Sequence, residues 1–365
     1  MTTVQPAQRL LSLDFLRGLI MVLLALESAG LFDRIDELST NPAVKGLMLQ
    51  FFHHPWNGLR FWDLIQPGFM FMAGTAMAYS LDKQFRNGVS WNDAFIKVLK
   101  RSGWLFFWGV LDYAVKKDGS LSFELWDVLT QLSFTTLVAF LIFRWSYRAQ
   151  ILTSIGILLL TELLYRFTNI PGFDQPFTDQ QNFGNYMDLI LMNKINGGGW
   201  VAINCLPTAV HTIAGAMAGK WLLEKRPLQP LVVAGLATLL AGYALDFAGI
   251  TPIIKRIATS SFTLASLGWC LFALAFVYWW IDIRSHKRYL HFFLIIGMNS
   301  LFIYIFFEIV GKRFFNAYVS AIGNGLLGLL QAPEGFILIF NSLAIFALEW
   351  GMCYFLYRKK IFFRA

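Results

Sequence analysis

The chain has 365 residues, of which 57% are apolar, 17% aromatic and only 14% charged. A soluble domain carries roughly 25% charged residues, so most of this surface faces something other than water, and the water-soluble globular class is excluded. The net charge of +8 is what Lys and Arg collected in cytoplasmic loops would give, so membrane lipids are the expected partner and nucleic acid is not.

Apolar runs of about 20 residues, the length a helix needs to cross a bilayer, recur from Leu10 to Tyr357. The expected fold is all-α, a polytopic transmembrane helical bundle of about ten spans. They lie near 10–31, 60–82, 102–116, 124–143, 150–168, 200–222, 230–249, 261–282, 291–311 and 335–357. The first run is too long for a signal-peptide core and lacks a small-residue cleavage site, so it is expected to stay as a span. The third is the weakest, because Lys97, Lys100 and Arg101 precede it and Lys116 and Lys117 close it. The loop from Asn169 to Gly199 is rich in turn-forming residues, with a short interfacial helix expected over Phe183 to Met192. No internal repeat or low-complexity tract stands out, so residues 1–365 read as a single transmembrane domain. The missing inverted repeat weighs against a transporter.

Orientation follows from the basic residues. One set of loops holds Lys83, Arg86, Lys97, Lys100 and Arg101, then Arg144 and Arg148, Lys225 and Arg226, and Arg284, Lys287 and Arg288. The tail adds Arg358, Lys359, Lys360 and Arg364. That set is expected to be cytoplasmic, with both termini inside. The segment from His53 to Pro67 then falls on the extracytoplasmic side. The cysteines Cys205, Cys270 and Cys353 lie far apart in apolar runs, without CxxC or Cys/His spacing. They read as small buried hydrophobes, and no metal site is expected.

The segment His53-His54-Pro55-Trp56-Asn57-Gly58 puts titratable groups where one apolar run ends and the next begins. A neutral imidazole near pH 7 can take a proton from an amine or hydroxyl, or attack an acyl group itself. Asp63 is placed to hold one ring nitrogen and fix the tautomer. Asn57 is placed to donate to a carbonyl oxygen that turns negative during acyl transfer. Pro67 and Gly68 are expected to bend the second span. Two histidines that only meet lipid headgroups, with Trp56 and Trp62 as belt aromatics, fit the same residues. Asp14 and Arg17 sit three apart on the first span, either as a self-neutralising pair or as part of an anion site. Gly18 beside them permits close approach of another helix. Lys97, Lys100 and Arg101 form a second basic cluster on the same side, suited to phosphates or simply to a positive-inside loop. Pro207 is expected to break the sixth span beside Asn204 and His211, and the histidine reads best as an interhelical bond. Asn299 and Ser300 are candidates to line the same cavity. Glu27, Asp127, Glu162, Asp246, Glu308 and Glu349 lie in or near spans and are expected to face protein or water.

Taken together these residues resemble the heparan-α-glucosaminide N-acetyltransferase family of transmembrane acetyl-CoA:amino-sugar acetyltransferases, as a bacterial-type member without the luminal N-terminal portion. The likeness begins at Ser12-Leu13-Asp14-Phe15-Leu16-Arg17-Gly18. It is strongest at His53-x-x-Trp56-Asn57-Gly58-Leu59 followed by Asp63-Leu64-Ile65-x-Pro67-x-Phe69-x-Phe71-x-x-Gly74. It continues through Pro207, Gly215 and Gly219, Ser260-Ser261-Phe262, Tyr278 and Asp282, and Gly297-Met298-Asn299-Ser300, to Tyr357-Arg358-Lys359-Lys360.

The resemblance implies an acyltransferase of the inner membrane that takes acetyl from cytoplasmic acetyl-CoA and passes it to an amino sugar or glycan on the far side. It implies His53, three residues before the Trp, as the reacting histidine, with His54, Trp56, Glu27 and Asn204 toward the acceptor. Arg17, Lys97 and Arg101 would hold CoA phosphates, and Asn299 and Ser300 would line the arm. A homodimer is the assembly the likeness would add. Two departures touch the acceptor side and leave the acceptor open. Asn196-Gly197-Gly198-Gly199 stands where the family often has Asp-Pro-Glu-Gly, and Glu27-Ser28-Ala29-Gly30 where the family's lysosomal enzyme has an Asn ahead of its histidine. An amino-sugar transporter and an O-acetyltransferase of a surface glycan remain the alternatives.

Overall fold

The computed structural model describes residues 10–114 and 120–363. Lys116, Lys117 and Arg364, which entered the charge reading above, lie outside them. The fold is all-helical, 74% helix, with no strand among the described residues. In chain order the helices are α1 (Leu11–Ser28), α2 (Leu31–Leu38), α3 (Pro42–Met48), α4 (Ile65–Arg86), α5 (Trp91–Ala114), α6 (Val128–Leu141), α7 (Tyr147–Phe167) and α8 (Phe183–Met192). They continue as α9 (Cys205–Leu223), α10 (Gln229–Phe247), α11 (Ser260–Tyr278), α12 (Leu290–Met298), α13 (Ser300–Ile305), α14 (Asn316–Leu329) and α15 (Glu334–Arg358). Short 3₁₀ turns cover Leu49–Phe51, Phe61–Leu64 and Ala202–Asn204, and π-helix covers Trp279–Ile283 and Phe306–Phe315.

Among the described residues, four helical stretches are long and apolar enough to cross a membrane: Tyr147–Phe167, Gln229–Phe247, Ser260–Ile283 and Glu334–Arg358. The number rises to six if each of two bent pairs counts as one span. Those pairs are α1 with α2, bent by 57°, and α12 with the helix from Ser300 to Leu329, bent by 71°. The remaining long helices fall short for a physical reason. Helices α4 and α9 carry small and polar residues because they pack inside the protein, and α5 carries charge along one side.

The chain divides into two compact units. The first holds residues 54–59 and 63–276, and the second holds 10–53, 60–62 and 277–363. Within the first unit, α4 and α9 cross at backbone contact. A Cβ on Gly74 would lie 2.0 Å from the Thr212 carbonyl oxygen, and one on Gly215 would lie 1.9 Å from that of Phe71. Only glycine allows this approach, the usual way helices associate where no water drives them together. Beside the crossing, Met77, Leu81, Phe140 and Ile213 build an apolar core. Trp91 stacks on Phe140 at 4.2 Å and carries the Arg144 guanidinium on its ring. Within the second unit, α1 packs on α12 by the same device. A Cβ on Gly18 would meet the Phe293 carbonyl oxygen at 2.1 Å. The carboxylate of Asp282 accepts from the first backbone N–H groups of α1, at Leu11 and Ser12.

Three expectations need correction. Helix α5 starts at Trp91, well before the expected 102. Its buried positions Ala94, Val98, Ser102, Leu105 and Gly109 keep helical spacing straight through the basic stretch, so Lys97, Lys100 and Arg101 are on a helix and not in a loop. Pro67 does not bend α4 and Pro207 does not break α9. Both are third residues of their helices, where a backbone N–H has no intrahelical acceptor to lose. Asp63, expected early in the second span, belongs to the 3₁₀ turn that precedes α4. The interfacial helix expected over 183–192 is present as α8, opened by a reciprocal Asn182/Asn185 capping box.

Candidate functional site

In the first unit, residues 54–59 lie along the loop between α10 and α11. The Gly58 N–H donates to the Ile253 carbonyl at 2.8 Å, and Asn57 and Ile254 form an antiparallel bridge. That loop is itself fixed. Thr259 Oγ1 accepts from the Ile254 N–H and donates to the Pro252 carbonyl, the Ser261 hydroxyl donates to the same carbonyl, and Asn204 Nδ2 donates to the Arg256 carbonyl. Gly58 has φ +149°, and a Cβ there would lie 2.6 Å from the His54 ring. The imidazole of His54 therefore rests on bare backbone.

Beneath this segment, Asp63 is fully buried. Its Oδ2 accepts from the His54 backbone N–H at 3.2 Å, and its Oδ1 lies 3.7 Å from Lys255 Nζ. Lys255 is 6% exposed and its ammonium sits 5.3 Å from the Trp200 ring centroid. Burial pushes the Lys255 pKa down to about 8, against the pull of Asp63 and with a smaller push from Arg256. A lysine in that range can hold or release a proton near neutral pH. Trp56 donates its indole N–H to the Phe177 carbonyl at 2.8 Å. Its ring comes within 2.7 Å of where a Cβ on Gly199 would stand, at φ +77°. Gly199 thus lets the backbone of its loop come close to the Trp56 ring.

A second buried carboxylate, Asp188 on α8, accepts from the Ala202 N–H at 2.9 Å and the Trp126 indole N–H at 3.0 Å. Burial raises its pKa to about 7, and the two hydrogen bonds oppose the rise.

The first unit thus brings together His54, Trp56, Asn57, Asp63 and Asn204. Asn57 is exposed, and Asn204 is buried with its amide on the 251–259 loop. His211 bonds Ser266 on α11 through Nε2 at 2.9 Å, as an interhelical contact. Lys97 is exposed on α5, with Arg101 half-buried one turn on. In the second unit His53 is exposed, and its carbonyl accepts from Arg60 Nη1 at 3.0 Å. Arg17 faces Asp14 at 3.8 Å. Glu27 pairs with Lys312 at 3.7 Å. Asn299 lies at the break between α12 and α13, with Ser300 next to it. Its amide clasps the C-terminal segment, donating to the Ile361 carbonyl and accepting from the Phe363 N–H.

Sequence reasoning missed Lys255, Trp200 and Asp188. Lys255 did leave a trace. It stands with Arg256 as a basic pair flanked by Ile254 and Ile257, in a loop where the expected orientation would place few cations. Among the described residues no group of three His, Cys, Asp or Glu side chains is arranged to hold a metal ion. No family model matches the chain, and a search of curated proteins finds none similar to it.

Proposed function

We propose that this protein is a multi-pass acetyltransferase of the inner membrane, with about ten spans and both termini cytoplasmic. It would move acetyl from cytoplasmic acetyl-CoA to an amino sugar, of glucosamine or muropeptide type, on the far side. The observation that carries the reading is the buried Asp63 at the root of the histidine segment, holding the His54 main chain and facing Lys255 at 3.7 Å. A carboxylate is placed in a dry site beside a lysine at a cost of several kcal/mol, and sites of this kind concentrate where chemistry is done.

In this proposal His53, exposed and next in the chain to the anchored His54, is the base or acetyl carrier. Asp63 and Gly58 hold the backbone of residues 54–59 so that the His54 imidazole presents a fixed geometry. Asn57 offers an amide N–H to the carbonyl oxygen as it gains charge, and the ammonium of Lys255 lowers the cost of negative charge in the same unit. Trp56 and Trp200 supply flat apolar faces suited to a sugar ring. On α5, Lys97 and Arg101 offer the positive charge that nucleotide phosphates need.

The test is thioester cleavage and product mass by purified protein given acetyl-CoA and glucosamine-type acceptors. The proposal expects amide-linked acetyl, and loss of at least about a hundredfold in turnover for His53→Ala, the scale of general acid–base catalysis. Near-wild-type turnover by that variant would end the assignment. A base-labile ester product would move it to O-acetylation. Uptake of labelled sugar without any acetyl donor would replace it with transport.

A further inference from the structure

One end of the first unit gathers cations that its own carboxylates do not match. Residues 142–150 join α6 to α7 and residues 220–229 join α9 to α10, and together they carry five Lys or Arg side chains against one carboxylate, Glu224. Lys220 Nζ ties the two segments by donating to the Phe143 carbonyl at 2.8 Å. The Lys220 ammonium and the Arg226 guanidinium lie 5.1 and 5.4 Å from the centroid of the same ring, that of Tyr147. The two charges are therefore within about 10.5 Å of each other, about one Debye length at ordinary ionic strength. Trp221 packs edge-on against Tyr147 at 5.8 Å, and its indole N–H donates to the Pro227 carbonyl. Glu224 pairs with Arg226 and accepts from the Tyr147 hydroxyl. Among the described residues no carboxylate pairs with Arg144, Arg148 or Lys225.

The helix that leads away from this end is apolar on its outer face. Arg148 is exposed, and Leu152, Ile155, Leu159 and Leu163 follow it at helical spacing along one face of α7, all of them exposed. Helix α7 is among those long and apolar enough to cross a membrane. Trp145, Tyr147 and Trp221 supply aromatic side chains of the kind that settle at the level of lipid headgroups. A loop that only follows the positive-inside rule needs cations and nothing more. Here the cations are held on aromatic rings at the head of an apolar stripe, and one molecule complements both parts: a lipid with a negative headgroup above its acyl chains. The same end is the one expected in the cytoplasm from the basic residues, where the leaflet carries anionic lipid.

We propose that this end of the first unit is a binding surface for an anionic phospholipid, with its phosphate among the cations around Tyr147 and Arg148 and an acyl chain along Leu152, Ile155 and Leu159. The lipid supplies the negative charge that Glu224 alone does not. The inference rests on α7 crossing a membrane and stands without the acetyl-transfer reading.

The test uses the full chain in phosphatidylcholine nanodiscs doped with phosphatidylglycerol. Native mass spectrometry of protein released from the discs counts retained phosphatidylglycerol against retained phosphatidylcholine. The wild type is expected to keep the anionic lipid in excess of its share of the disc. Each cation near an anionic surface is worth about fivefold in binding. Arg148→Gln/Lys225→Gln touches no ion pair among the described residues, and it should lower the preference by at least about tenfold. Arg148→Lys/Lys225→Arg keeps the charge and should keep the preference. Lys359→Gln/Lys360→Gln removes as much charge from the C-terminal segment and should leave the preference in place. No excess of phosphatidylglycerol on the wild type overturns the proposal. An equal loss in the two glutamine variants also overturns it, because the preference would then follow net charge alone. Displacement of the retained lipid by free coenzyme A would overturn it in favour of a nucleotide.

Discussion

Removing either partner of the buried pair beneath the histidine segment should cost far more than removing both. Asp63 is fully buried, Lys255 nearly so, and their charged atoms are 3.7 Å apart. At an effective dielectric of about 20, two unit charges at that distance attract by about 4.5 kcal/mol. Breaking a buried pair by removing one partner typically costs about 3–5 kcal/mol, so the two routes agree in scale. Asp63→Asn leaves Lys255 without the charge that opposes its burial, and its pKa should fall further below about 8. Lys255→Met leaves a carboxylate in a dry site. The double variant Asp63→Asn/Lys255→Met removes both problems and keeps the side-chain volumes. Unfolding in nanodiscs, followed by tryptophan fluorescence, should show each single variant destabilised by several kcal/mol and a coupling of at least about 2 kcal/mol in the cycle. Additivity to within about 0.5 kcal/mol would refute the claim that Asp63 and Lys255 act as a pair.

Asp188 gives a pH signature. Its folded pKa of about 7 lies above the ordinary 3.8, so between those values the folded state holds a proton that the unfolded state has released. Its contribution is present in full below 3.8 and lost as pH rises to about 7. Asp188→Asn should therefore gain on the wild type over that window, and a stability difference that ignores pH would count against the assignment. Gly215→Ala puts a methyl 1.9 Å from the Phe71 carbonyl oxygen. The α4–α9 crossing must then open, at about 1–3 kcal/mol or more, and folded yield by size-exclusion chromatography should drop. Asp282→Ala removes the acceptor for two N–H groups at the start of α1. It should cost about 1 kcal/mol, a typical cap loss, seen as faster hydrogen exchange at Leu11 and Ser12.

Much of the fold was legible because it follows from hydropathy. Residues 150–168, 230–249, 261–282 and 335–357 were read as spans, and the four stretches that pass by length and apolarity overlap them closely. The interior helices were harder. Helices α4 and α9 look weakly apolar because glycines, threonines and alanines pack them against each other, and that same pattern hides where they begin. Pro67 was read as a bend and Pro207 as a break because a sequence does not show that a helix starts two residues earlier. In the first unit, the sequence displayed the candidate groups that are close together in the chain, His54, Trp56, Asn57 and Asp63. It did not display Lys255, which reaches Asp63 only because the α10–α11 loop folds back under residues 54–59. Long-range pairing of this kind leaves no periodicity to read.

The proposed transfer of acetyl across a membrane can be followed in sided vesicles. Protein of known orientation is reconstituted with acetyl-CoA on its cytoplasmic face and a membrane-impermeant amino sugar on the other. N-acetylated sugar is expected only in the acceptor compartment, with free CoA released on the donor side and His53→Ala inactive. Product formed only when donor and acceptor share one compartment would contradict it.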